Sequence, residues 1–184
     1  MKDILQEAGS LFIGGIVFLM LITIFSRIGN TAATQTFNNV VQEKAGLATE
    51  IMERELATMG YGVEDSVYVL HADSSGIIFR SDIDNNDIPD TVIYVYGLSP
   101  LPASDHPNGG AIYRSVNGSI PEPIAVGVTE FKMQFYDGKG IPTTTTSAIR
   151  SLSIGMVMEN ESLLNDDFTP GVYWARTFSP KNMR

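Results

Sequence analysis

Residues 11–25 read LFIGGIVFLMLITIF. No other apolar run in the chain is as long. Three readings fit it: a cleaved signal peptide, a plain membrane anchor, or a stem by which copies pack together. Ala8 to Ser26 is uncharged and bounded by Glu7 and Arg27. As a helix this stretch rises about 28 Å, close to the ~30 Å hydrocarbon core of a bilayer. A signal peptide ends at a small-residue cut site, and Thr31–Ala32–Ala33 is a poor one, so the sequence favours a retained segment. Orientation is weakly specified, because Lys2 is countered by Asp3 and Glu7 while Arg27 lies on the far side.

The residues after the run bear on the choice. No charge occurs between Arg27 and Glu43, and no proline between residues 4 and 60. Phe37, Val40, Val41, Leu47, Ala48, Ile51, Leu56 and Met59 recur at helical spacing. Glu43, Lys44, Glu50, Glu53, Arg54 and Glu55 are assigned to the opposite, polar side, with Glu50 and Arg54 at the favourable i,i+4 spacing. Gly60 and Gly62 supply the stop. The expectation is one long helix with an apolar first half and an amphipathic second half. Gly14–Gly15, Gly29–Asn30 and Gly46 are its weak points. A lone anchor does not need residues 27–42 to stay nearly charge-free. A stem packing against other stems does, since small and apolar side chains let helices approach in an apolar medium.

Beyond Gly62 the periodicity changes. SVYVLHA, GIIFRS, TVIYVYG, AIYRSV, EFKMQFYD, IRSLSIGMVME and VYWARTFS are short β-prone runs separated by turn formers. Phe131, Met133 and Phe135 alternate with Lys132, Gln134 and Tyr136, as in a half-buried strand. The predicted class is α+β: a long N-terminal helix, its first half membrane-inserted, packed on an antiparallel sheet. The expected divisions are 1–28 (membrane half of the stem), 29–62 (amphipathic half) and 63–184 (β-rich domain).

Composition removes several functions. The net charge is −9, which argues against general nucleic-acid affinity, because phosphate binding needs Lys or Arg. The chain has no cysteine, which excludes thiolate chemistry, and only two histidines, which argues against a multi-histidine metal centre. His71 falls in an apolar strand and His106 in a Pro/Gly loop, and no Ser–His–Asp motif can be picked out. GxGxxG and GxxxxGK[ST] are both absent. Tyr173 and Trp174 read as core or sheet-face residues of the last strand.

DIDNNDIPD places Asp82, Asp84, Asn86, the Ile88 carbonyl and Asp90 at positions 1, 3, 5, 7 and 9 of a loop. Oxygen ligands alternate in this way around calcium. Asp87 stands where such a loop usually has Gly, and Ile93 where it has the bidentate Glu, so the expected affinity is weak. The plainer reading is a solvated turn built from good turn formers.

The order of these segments resembles the type IV pilin-like superfamily, in particular its larger minor pilins and pseudopilins of the PilW-like and GspJ-like group. IMERELATMGYG is similar to the close of that family's stem helix. GIIFRSDIDNNDIPDTVIYVYG resembles its strand, Asp-rich turn, strand unit, and AIYRSVNG its short strand ending in Tyr-Arg. IAVGVTEFKMQFYDGKG and AIRSLSIGMVME resemble its next hairpin and strand. The resemblance implies a non-enzymatic, membrane-anchored subunit of a type IV pilus-like filament or secretion pseudopilus. Its partners would be the membrane and other pilin-like subunits. The domain would be extracytoplasmic on an inner-membrane anchor, reaching the cell surface or filament after assembly. The stem would then be Leu11, Phe12, Ile13, Gly14, Gly15, Ile16, Val17, Phe18, Leu19, Leu21, Ile22 and Phe25. Glu7 is the candidate register carboxylate. The family's processing motif is atypical here: after Gly9 the chain reads SLFIG, so the fifth position is Gly14 rather than Glu. The alternative is a monomeric membrane-anchored extracytoplasmic binding module. Calcium is the one candidate cofactor in either case.

Overall fold

A computed structural model describes residues 2–183 apart from 65–66, 98–108 and 160–170; for residues 2–8, 10, 33–34, 37–38 and 40–41 it describes the backbone alone. The first element is helix α1, Lys2–Ala57. The glycines that could have broken it do not, and it stops three residues short of Gly60. The chain divides into two compact units, Met1–Asn39 and Val40–Arg184.

The first unit is helical throughout its described residues. Leu11–Ala32, 22 residues, is long and apolar enough to cross a membrane, and none of it is buried. Its polar side chains are partly masked: the Thr23 hydroxyl donates to the Leu19 carbonyl at 2.9 Å and that of Thr31 to Arg27 at 2.9 Å. Such back-bonding satisfies a hydroxyl without water.

The second unit holds the end of α1 and seven strands: β1 (Val69–Asp73), β2 (Gly76–Ser81), β3 (Asp90–Gly97), β4 (Gly110–Val116), β5 (Glu122–Tyr136), β6 (Ser151–Glu159) and β7 (Gly171–Phe178). They form one antiparallel meander in chain order. Strand β5 begins eight residues earlier than EFKMQFYD suggests, because Glu122–Val128 pairs with β4 before Val128–Tyr136 pairs with β6. The sheet curls. The carbonyls of Ser74 and Ser75, in the β1–β2 turn, accept from Met133 N–H at 3.0 Å and Tyr96 N–H at 2.7 Å. Gly76 permits that approach, since a Cβ there would stand 2.5 Å from the Tyr94 carbonyl oxygen.

Ala45, Ala48, Met52, Leu56 and Met59 bury one stripe of α1 and its exit. They meet Ile77, Phe79, Val92, Tyr94, Ile112, Met133, Phe135, Leu152, Ile154, Met156 and Met158 from the inner face of the sheet. Period-two alternation along β6 is regular, with Leu152, Ile154, Met156 and Met158 inward. Six methionines lie in this core: Met52, Met59, Met133, Met156, Met158 and Met183. The side chains of Phe37, Val40 and Val41 lie outside the described residues, and among the described ones two helix assignments differ from the sequence reading. Leu47 is exposed, because the stripe runs through Ala45, Ala48 and Met52. Glu55, expected on the polar side, is buried, because its place three residues after Met52 puts it on the stripe.

The exit from α1 is tight. Gly60 and Gly62 both take positive φ, +80° and +70°. The Gly60 N–H donates to the Arg80 carbonyl at 2.9 Å, and Asp82 N–H donates to the Tyr61 carbonyl at 2.8 Å. A Cβ on Gly62 would lie 2.8 Å from the Asp82 Cβ. The end of the helix is thereby held against the acidic turn.

Candidate functional site

The acidic turn joins β2 to β3. Asp82 directly follows β2 and Asp90 opens β3, both buried, while Asp84 is exposed. One carboxylate oxygen from each of the three lies within 4.8 Å of the others. The backbone makes the sharp turn at Asp87, φ +66°, with a second left-handed residue at Asn85, φ +58°. The position that usually needs Gly therefore does adopt Gly-like geometry, with Asp in its place.

Most of the negative charge is answered internally. The Asn86 and Asp87 N–H groups donate to the two oxygens of Asp82 at 3.1 and 3.0 Å. Asp90 accepts from Ile83 N–H at 3.2 Å and from Asn117 Nδ2 at 2.6 Å. Asn86 donates through Nδ2 to Asp84 at 3.0 Å and accepts the Ile88 N–H at 2.8 Å. The structure thus brings Asp82, Asp84 and Asp90 into ligating range of one point. It turns the Asn86 carboxamide toward the turn's own backbone and the Ile88 side chain toward solvent. These three carboxylates could hold a hard cation through their remaining lone pairs. They equally brace the turn without one.

A second polar constellation was missed by the sequence reading. The buried Glu55 carboxylate receives Arg114 Nε at 2.9 Å, Arg114 Nη2 at 2.6 Å and the Tyr94 hydroxyl at 2.5 Å. Burial, followed by the Glu55 charge, pushes the Tyr94 hydroxyl well above its usual pKa. The Glu55 hydrogen bond raises that of Arg114. A bidentate guanidinium and a phenol satisfy this carboxylate fully. A cavity of about 410 Å³ beside it is shared with Asp82 and Asp84. On the neighbouring flank of the same helix end, Glu53 forms an ion pair with Arg176 of β7.

His71 pairs with Asp73, Nε2 to Oδ2, at 3.0 Å, and the Ser75 hydroxyl donates to Asp73 Oδ1 at 2.7 Å. The carboxylate stands between serine and histidine. Nucleophile activation needs the imidazole in that place, so this trio is a turn brace. The Ser75 hydroxyl, then His71, hold the Asp73 carboxyl down at about 2.

Of the other sequence-predicted residues, Leu11 through Phe25 are all solvent-facing on α1. The Glu7 side chain and His106 lie outside the described residues. Compared with known proteins, the chain matches no family model and no curated protein. By length and composition, Leu11–Ala32 fits a membrane anchor or a signal sequence.

Proposed function

We propose that this chain is a non-enzymatic, membrane-anchored pilin-like subunit, working in a type IV pilus-like filament or a secretion pseudopilus. One observation carries the reading. A single helix is exposed and apolar along Leu11–Ala32, yet buries its stripe from Ala45 to Leu56 under the sheet. Its apolar part is left uncovered within its own unit. A bilayer before assembly and neighbouring stems afterwards would both suit it. The order of the β segments, similar to that of minor pilins and pseudopilins, adds support.

The chain has no native cysteine, so a single Phe18→Cys variant in cells gives a clean crosslinking test. Expected are membrane fractionation and oxidant-dependent crosslinks to itself or to other small membrane subunits. Leu21→Arg should abolish both, since a charge at the middle of a span costs about 3 kcal/mol on insertion scales. Membrane-bound protein that never crosslinks would favour the solitary binding module instead.

A further inference from the structure

The outer face of β5–β6–β7 carries an open trough of about 920 Å³. Ser153, Gly155 and Val157 run down its middle; Lys132 and Ala175 flank Gly155 in the register of the three strands. Gly155 and Ala175 leave the floor bare. Tyr173, opposite Val157, reaches back along the sheet, with its hydroxyl 3.9 Å from where a Gly155 Cβ would be. It is 73% exposed, so one face of the ring is open to solvent. Tyr136 leans in from β5, its hydroxyl 3.4 Å from Ser153 Oγ. Where β5 runs on past the end of β4, the stacked rings of Tyr96 and Phe131 also line the trough.

We propose that this trough binds a stretch of uncharged polysaccharide. A pyranose ring offers an apolar C–H face, which suits a flat, solvent-open tyrosine, and a rim of hydroxyls that each donate and accept. The trough supplies both functions: Lys132 donates, Glu130 accepts, and Gln134 does both. The charge balance selects a neutral chain. Glu130 and Lys132 offset each other, and Arg176 is already paired with Glu53. A polyanion would meet a molecule of net charge −9. The trough is open to solvent above its floor rather than enclosed, which suits a ligand lying on the sheet face more than a small molecule buried within it. Nothing in this inference depends on the filament reading.

The test is affinity electrophoresis of the full chain in a sugar-free zwitterionic detergent. Gels contain hydroxyethylcellulose, galactomannan, glycogen or, as the polyanion, dextran sulfate. Expected is retardation by at least one neutral polysaccharide, with affinity lowered at least tenfold by Tyr173→Ala and kept within twofold by Tyr173→Phe. Gly155→Leu, which fills the floor without touching the core, should also abolish retardation, with melting curves showing both variants folded. The proposal is overturned if no neutral polysaccharide retards the parent. It is equally overturned if Tyr173→Ala binds as the parent does, or if dextran sulfate binds more tightly than all three.

Discussion

Arg114 reaches from β4 to the end of α1 and grips both carboxylate oxygens of Glu55, at 2.9 and 2.6 Å. The carboxylate is only 6% exposed on its side chain and the guanidinium 26%. The contact fixes where along the sheet the helix must sit. Removing one partner leaves the other charge buried and unmatched.

Glu55→Ala should therefore cost roughly 3 kcal/mol, lowering the melting temperature by about 10 °C. Glu55→Leu combined with Arg114→Met and Tyr94→Phe should recover a large part of that, because an apolar trio of similar volume needs no charge match and leaves no buried hydroxyl unpaired. Thermal melts of Glu55→Ala and of the triple variant check this. A triple variant no better than Glu55→Ala would mean that the loss does not come from the unmatched groups.

Tyr94 ties the same site to alkaline pH. Its folded pKa lies above the ordinary 10.0, so the folded state keeps a proton that the unfolded chain loses. The stabilisation is complete below pH 10 and declines as the solution becomes more basic. Tyr94→Phe should flatten the decline. Denaturant midpoints from pH 8 to pH 11.5, for parent and variant, give the comparison.

Asp73 acts at the other end of the scale. Its carboxyl is lowered from 3.8 to about 2, so its contribution is present above pH 3.8 and is lost as pH falls toward 2. The group is largely exposed, so the effect is small. Asp73→Asn should give a shallower fall in melting temperature across that window, and a carbon-detected titration of Asp73 should show the depressed midpoint directly.

In the acidic turn, Asp82→Ala removes the acceptor of two backbone N–H groups and should cost about 2 kcal/mol. With an incomplete ligand set, calcium affinity should be no better than about 1 mM, so 10 mM calcium adds at most ~1.4 kcal/mol. That gain should vanish in Asp84→Asn. Melting of the full chain in detergent, with and without calcium, reads both. A larger calcium shift would mean ligands beyond Asp82, Asp84 and Asp90.

The strands and their antiparallel pairing were legible because each run of Val, Ile, Tyr and Phe ends at a turn former, as at Gly97 and Asn117–Gly118. The apolar stretch was legible from length alone. The role of Glu55 was missed because a carboxylate among Glu50, Glu53 and Arg54 looks solvated. Its phase, three residues after Met52, was the available signal, and the partner Arg114 lies fifty-nine residues away. The bare trough at Gly155 had no signal, because emptiness above a glycine depends on which residues the neighbouring strands place beside it.

The methionine-lined core has a use as a reporter. Six thioethers are shielded behind the sheet, whereas Met20 on α1 is 61% exposed. Peroxide converts accessible methionine to the polar sulfoxide. Where the stem is open to water Met20 should be oxidised first, and in a micelle, a bilayer or a packed assembly it should be spared. Oxidation of Met156 and Met158 would record only those molecules whose sheet had opened. Peptide mass mapping after a brief peroxide pulse would thus report, on one chain, both whether the stem is covered and whether the domain is closed.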